Sequence, residues 1–362
     1  MKVVFDAYWW ISGPPSLRHV LRELVRAWNV AYPHDELTLV VREAHRAEAA
    51  RELGGIGVIR STTLWPQALA ATLAVGAVAR TVEADLVITH NFACRVHSGV
   101  SAVYLHDVLF ATNPEWFTLP ERLYFSFMRR WIQRATVVFT STMTEAARID
   151  EHTAARGVVA VGLGLSTELT EGRLPADPDR ALVSGRFMLT VGRLNARKNL
   201  GATIRGALRS GRVRPDHPLV IVGSAEGRRD RLDAATSTAI ADGSVRFVGF
   251  VSEERLRWYY RNTALFLFLS LGEGFGMPPV EAAHFGATVL ASDLPVFHET
   301  LGALASYVDP TDEDAIAQAI ADALDRTTAR PAPAGLVAAR HNWSLVVRAM
   351  RDEVSARAGV LL

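Results

Sequence analysis

The sequence predicts an α/β protein made of two Rossmann-like, doubly wound parallel-sheet domains, and three observations lead there. At 362 residues the chain is longer than one ordinary α/β layer set. Short β-branched runs alternate with longer amphipathic ones along its length. The short runs are apolar on both faces, as strands are when helices cover both sides of a parallel sheet through right-handed crossovers.

In the first half, strands are predicted at KVVFDAY (2–8), LTLVV (37–41), VIRST (58–62), DLVITH (85–90), AVYLHD (102–107) and TVVFTS (136–141). Between the first two, LRHVLRELVRAW (17–28) sets Leu17, Val20, Leu21, Leu24, Val25 and Trp28 at helical spacing. The second half repeats the scheme with FMLTVG (187–192), PLVIVG (218–223), VRFVGF (245–250), LFLFLS (265–270) and TVLASD (288–293). The polar, proline-bearing TEGRLPADPDR reads as a linker. The expected domains are therefore 1–170, a linker 171–183, and 184–342. A closing helix, 343–362, is expected to pack back on the first domain.

Composition excludes several classes. A charged fraction of 21 % and an apolar fraction of 49 % suit a packed soluble core. A net charge of +1 argues against a nucleic-acid binder, whose affinity comes from many unbalanced phosphate contacts. The single cysteine, Cys94, excludes a disulfide framework and any cysteine-rich metal site. No run approaches the 18 apolar residues of a membrane span, and MKVVFDAYWW looks like a strand rather than a leader peptide. The expected location is the cytoplasm. All but two of the basic residues are arginine, so Lys198 stands against the compositional bias.

In open α/β sheets ligands sit at the carboxyl ends of strands, so strand ends are where chemistry is sought. LTVGRLNARKNL (189–200) finishes a strand at Gly192 and then presents Arg193 and Lys198 before a helix. Two cations and a helix N-terminus suit a diphosphate; a solvated loop pair is the plain alternative. GEGFGMPPVE (272–281) places Glu273 and Glu281 around Gly274, Phe275 and Gly276. Pro279 suits the first turn of a helix, which would put Glu281 in that turn. A capping box would need Ser or Thr where Pro278 stands, so only a charge–dipole interaction is left as its structural reading. Glu273, flanked by glycines, has no helix to serve. In the first domain, AVYLHDVLF ends a strand with His106 and Asp107, and ITHNF ends another with Asn91. Asp107 could simply cap the following turn.

These residues resemble a known family. VGRLNARKNL, VRFVGFVSEERLRWYY, LFLFLSLGEGFGMPPVEAAHFGATVLASDLPVFHET and SYVDPTDEDAIAQAI, in that order, are similar to the retaining glycosyltransferases of GT-B fold, family 4. The resemblance covers residues 187–325 and implies two domains facing an interdomain cleft. It implies that Arg193 and Lys198 hold the diphosphate of a nucleotide sugar. Glu273 would bind the donor sugar, helped by the backbone of Gly274, Phe275 and Gly276, and Glu281 the ribose. The base would lie near Phe247–Val251, and His106 beside the sugar and the acceptor. Transfer would keep the anomeric configuration, with no protein nucleophile, cofactor or metal. The LHD element inclines the donor towards GDP-mannose, and the acceptor is a glycan, a lipid-linked molecule or a small molecule.

The chain departs from the family where a glycine-rich loop usually follows the first strand. Here WWISGPPSLRHV leaves Ser12, Gly13 and Ser16 to supply what backbone contacts the prolines cannot. Trp9 and Trp10 are read as one cleft and one core residue, with Trp9 and Ser16 as acceptor-side candidates. A metal-dependent transferase would need a well-placed D-x-D, and Asp177–Asp179 and Asp312–Asp314 are not. A sugar-nucleotide epimerase of the same architecture and an inactive homologue acting as partner subunit or sensor are the alternatives; a glycosidase leaves Arg193 and Lys198 without a task. Finally, LPERLYFSFMRRWIQRAT (119–136) has the basic-aromatic pattern of a helix that lies on an anionic bilayer, at the inner face of the plasma membrane. The competing reading packs it in the first domain with its arginines in water.

Overall fold

The computed structural model describes residues 1–94, 99–174, 179, 181–192, 195–223, 233–326 and 334–361. The chain divides into two compact units, Met1–Gly164 with His341–Leu362, and Leu165–Arg340.

The first unit is built on a seven-stranded sheet in the order β3-β2-β1-β4-β5-β6-β7. Its strands are β1 (Lys2–Asp6), β2 (Glu36–Arg42), β3 (Val58–Thr62), β4 (Leu86–His90), β5 (Val100–Tyr104), β6 (Val137–Thr140) and β7 (Val158–Ala160). Every pairing is parallel. The helix Pro15–Ala31 starts on a proline, whose missing N–H costs nothing in a first turn, and buries Val20, Leu21, Leu24, Val25 and Trp28. The closing helix Trp343–Leu361 packs beside it, burying Val346, Val347, Met350 and Val354. Arg351 ties the two together: it pairs with Asp35 and stands 4.7 Å from the Tyr32 ring centre.

The second unit has a six-stranded, all-parallel sheet in the order β10-β9-β8-β11-β12-β13. Its strands are β8 (Met188–Val191), β9 (Leu219–Val222), β10 (Val245–Gly249), β11 (Leu265–Phe268), β12 (Val289–Ser292) and β13 (Ala305–Val308). Met188, Leu219, Ile221, Leu267, Ile316 and Ile320 form the heart of its core. In each sheet the strand order reverses once, between β1 and β4 and between β8 and β11, and such switch points open a crevice at the strands' carboxyl ends.

Residues 165–174, divided in the sequence reading between the first domain and the linker, pack with the second unit. The cause is Arg257, buried to 2 % exposure on the helix Glu253–Asn262. Its guanidinium donates to the carbonyls of Leu169 (2.5 Å) and Glu168 (2.7 Å), and to that of Arg173. The first two are carbonyls at the end of the helix Thr167–Glu171, where a cation is favoured, and the third lies just past it. Tyr259 adds a hydrogen bond to Asp179 at 3.0 Å. Arg257→Ala should therefore lower unfolding stability by about 3 kcal/mol or more, since it strands several buried carbonyls. Urea unfolding of the variant checks this; a loss under about 1 kcal/mol, the worth of one ordinary hydrogen bond, would contradict it.

Candidate functional site

In the second unit two strand ends converge on one carboxylate. The helix Met277–His284 begins behind Gly276, whose positive φ of 87° makes the turn out of the loop after β11. A Cβ there would strike the Phe297 ring, so glycine is required twice over. That turn buries Glu273 at 7 % exposure, together with Gly274, Phe275 and Gly276. From the loop after β8, the Arg197 guanidinium donates to Glu273 Oε2 at 2.9 Å and the Lys198 ammonium to Oε1 at 2.6 Å.

Both cations are held from behind. Asn195 caps the short 3-10 turn Ala196–Lys198 by accepting from the Lys198 N–H at 3.0 Å. Arg197 also donates to the Gly272 carbonyl, and its own carbonyl accepts from the Leu271 N–H. The Lys198 stem passes so near Gly192 that a Cβ there would sit 3.3 Å from Cε, and its ammonium stands 4.5 Å from the Phe268 ring centre. A small cleft between Gly192, Lys198, Leu200 and Phe268 opens beside the pair. Burial alone would raise the Glu273 carboxyl, but Arg197 and then Lys198 outweigh it and hold it below its ordinary range. The carboxylate is therefore ionised.

Sequence reasoning passed over Arg197, although it stands beside Lys198 in NARKNL. The missing signal was the bent 3-10 turn, which aims two adjacent side chains at one carboxylate. Arg193 lies outside the described residues. Glu281 falls in the second turn of its helix and not the first, because the turn at Gly276 starts the helix at Met277, ahead of both prolines. It accepts from the Tyr260 hydroxyl at 2.9 Å, and burial pushes its carboxyl up to about 7. Val251 is half-buried after β10, with Phe247 half-exposed and Phe250 exposed nearby.

In the first unit, β5 ends at Tyr104, so His106 and Asp107 lie in the loop beyond the strand and do not end it. Asp107 caps that loop, accepting from the Leu109 N–H at 3.2 Å. The His106 Nε2 lies 3.2 Å from Nδ1 of His90, the last residue of β4. Burial, then the neighbouring His90, hold His106 well below its ordinary pKa; burial lowers His90 to about 4. Asn91 is buried with φ 64°, in the turn that follows. Below them Asp6 is pushed up to about 6 by burial and accepts from Gln67 at 2.7 Å. Trp10 is core at 1 % exposure, whereas Trp9 is half-exposed and lies over Gly13, where a side chain would strike it. Gly13 and Ser16 are exposed. Of the D-x-D strings, Asp177 is outside the described residues. Asp312 caps the helix Glu313–Asp325, and Asp314 pairs with Arg209 at 2.8 Å.

Residues 180–334 match the family described as Glycosyl transferases group 1. That match covers most of the second unit. An O-antigen chain mannosyltransferase B of Escherichia coli is 27 % identical over 232 residues, which are 60 % of this chain and 60 % of that protein. A serotype-specific mannosyltransferase, WbdA, of Escherichia coli is 26 % identical over 231 residues, 60 % of this chain and 28 % of that one. The matches thus span between about a quarter and three fifths of these relatives' lengths. Among solved structures, a sucrose-phosphate synthase of Thermosynechococcus elongatus superposes with a TM-score of 0.67 at 19 % identity. That superposition covers 98 % of this chain and 95 % of that one. The Anabaena protein HepE, solved with UDP and glucose, gives 0.64 at 14 % identity over 98 % and 99 % of the two chains. The fold is GT-B.

The Glu281 carboxyl gives this site a pH signature. Its folded value of about 7 exceeds the ordinary 4.5, so between those values the unfolded chain gives up the proton first. Stability should fall as pH rises from about 4.5 to about 7. Glu281→Gln should lose that part of the slope, read as urea midpoints across the window; parallel curves for the two proteins would contradict the assignment.

Proposed function

We propose that the protein is a retaining glycosyltransferase that moves a hexosyl group, mannosyl from GDP-mannose, from a nucleotide diphosphate sugar to a hydroxyl acceptor. The observation that carries this reading is the buried Glu273 carboxylate bonded to both Arg197 and Lys198 at the strand-end crevice of the second sheet. A lone carboxylate so buried would take up a proton; two cations keep it ionised. Fixed cations at a strand-end crevice suit a diphosphate. The mannosyltransferase relatives support the sugar.

The chemistry follows from where charge develops. The acceptor oxygen bonds to the anomeric carbon on the face from which the phosphate departs. The carbon–oxygen bond to phosphate breaks, and the hydroxyl proton passes to the leaving phosphate. Negative charge grows on the nucleoside diphosphate, where Lys198 and Arg193 and the backbone N–H groups of Gly274, Phe275 and Gly276 would answer it. Glu273 would bind the sugar hydroxyls, and Glu281 the ribose. Its raised pKa lets Glu281 donate as well as accept near neutral pH. The base would lie against Val251. In the first unit His106 would contact the sugar and acceptor, with Gly13, Trp9, Ser16, Asn91 and Asp107 on the acceptor side. The proposed reaction uses no metal, a reading supported by Asp312 and Asp314, which serve a helix cap and an ion pair.

The acceptor is proposed to be a glycan, a small molecule or a lipid-linked molecule, the last reached through peripheral contact with the inner face of the plasma membrane. The helix Leu119–Trp131 buries Met128 but turns Leu119, Leu123 and Phe127 outward, each about two-thirds exposed. Arg122 and Arg130 flank them, and Arg134 stacks on Trp131 at 3.4 Å. The Tyr124 hydroxyl accepts from the Ala68 N–H, joining this helix to a stretch whose Trp65, Leu69 and Leu73 are also exposed. That stretch, residues 61–79, carries no charge. Apolar groups framed by arginine suit an anionic bilayer. No helix among the described residues is long and apolar enough to cross a membrane.

Lys198→Ala and Glu273→Ala should each cut transfer at least 100-fold with the fold retained. A charge-assisted contact is worth about 1.5–3 kcal/mol, and charge formed in the transition state enlarges it. Near-normal turnover in either variant, or in the wild type only with an added divalent metal, would contradict the reading. Melting shifts with GDP-, UDP- and dTDP-sugars identify the donor. For the membrane face, Leu123→Glu with Phe127→Glu should abolish co-sedimentation with phosphatidylglycerol vesicles; equal pelleting with phosphatidylcholine vesicles would refute it.

A further inference from the structure

His90 and His106 form a pair whose protons are coupled. Their rings lie 5.4 Å apart and 19° from parallel, with His90 Nδ1 3.2 Å from His106 Nε2. A hydrogen bond between two neutral imidazoles needs one N–H and one lone pair, so fixing one tautomer fixes the other. If His106 donated from Nε2, the proton of His90 would sit on its own Nε2. That atom is buried, in a residue 3 % exposed, and has no partner among the described residues. A bare buried N–H costs about 1–3 kcal/mol and is rarer than an unused acceptor. The reverse arrangement leaves only a lone pair unused.

The surroundings hold the His90 ring in this setting. Gln67 donates to the His90 carbonyl at 2.9 Å while its amide also serves Asp6, so the strand end is tied to β1. The Tyr104 ring stands 6.1 Å from His90 and 5.0 Å from His106, and its hydroxyl is committed to the Gly162 carbonyl. His106, unlike His90, is partly exposed.

We propose that His90 is a positioning residue: its Nδ1–H, donated to Nε2 of His106, fixes His106 as the Nδ1–H tautomer. His106 then presents a hydrogen-bond donor, and no base, to an oxygen of the transferred sugar. This rests on the glycosyl-transfer reading, and it narrows the chemistry. The acceptor's proton cannot be taken by Nδ1 of His106, which already carries one, and Nε2 is occupied by His90. His106 is thus not the base, which agrees with the proposed passage of the proton to the departing phosphate, and it orients the sugar.

The test is a long-range proton–nitrogen correlation spectrum of histidine-labelled protein near neutral pH. The wild type should show His106 protonated at Nδ1 and bare at Nε2. His90→Leu removes the donor, so His106 should shift towards Nε2–H, with kcat falling about tenfold, the worth of one hydrogen bond, and little change in KM for the nucleotide sugar. His90→Asn places an amide N–H near the lost Nδ1–H and should restore both the tautomer and most of kcat. A wild-type His106 protonated at Nε2, an unchanged tautomer in His90→Leu, or an unchanged kcat in a folded His90→Leu would each overturn the proposal. If the wild type transfers no sugar at all, the functional reading fails, while the spectrum still decides the tautomer.

Discussion

A carboxylate taken out of water either picks up a proton or finds cations, and Glu273 has found two. Much of the second unit's crevice follows from that requirement. The glycines around Glu273 let its loop fold tightly enough to bury the carboxylate, and the positive φ at Gly276 launches the helix behind it. The loop after β8 must turn sharply to bring adjacent Arg197 and Lys198 to the two carboxylate oxygens, which is why Asn195 caps a 3-10 turn there. What results is a fixed array of opposed charges. Because its members hold one another, little is reorganised when an anion arrives, and electrostatic stabilisation depends on that preorganisation.

The two units repeat one topological device with different chemistry. Each sheet reverses its strand order once, and each reversal gathers polar groups. In the second unit they are charged and answer charge. In the first, Asp6, Gln67, His90 and His106 are joined by hydrogen bonds, and burial drives them towards neutrality. A crevice of cations suits a diphosphate, and one of hydrogen-bond donors and acceptors suits hydroxyls. That division matches a reaction in which one substrate carries the leaving group and the other only an alcohol.

The central strands were legible because they are buried on both faces and read as unbroken apolar runs. β7 and β13 were not, and both are edge strands. Val158–Ala160 is only three residues long and half-buried, and Ala305–Val308 is interrupted by exposed Ser306. Neither carries a pattern that separates strand from loop. At the site, Lys198 and Glu273 were legible from motif spacing, but their direct bond was not, since it depends on a turn that no periodicity reports. Arg197 and His90 were missed for the same reason: one is a neighbour in sequence whose direction is set by a bend, the other a strand-end residue whose partner comes from the adjacent strand. Glu281 was misplaced by one turn because prolines were taken to mark the helix start, which Gly276 sets instead.

The central claim is that the Lys198–Glu273–Arg197 array binds the diphosphate of the donor without a metal. The most direct test is calorimetric titration of GDP, in chelator, into the wild type and Lys198→Met. The account predicts binding to the wild type and an affinity at least tenfold weaker in the variant, in line with the loss of a charge-assisted contact of about 1.5–3 kcal/mol. Equal affinity in the two proteins, or wild-type binding that appears only when magnesium is supplied, would contradict it.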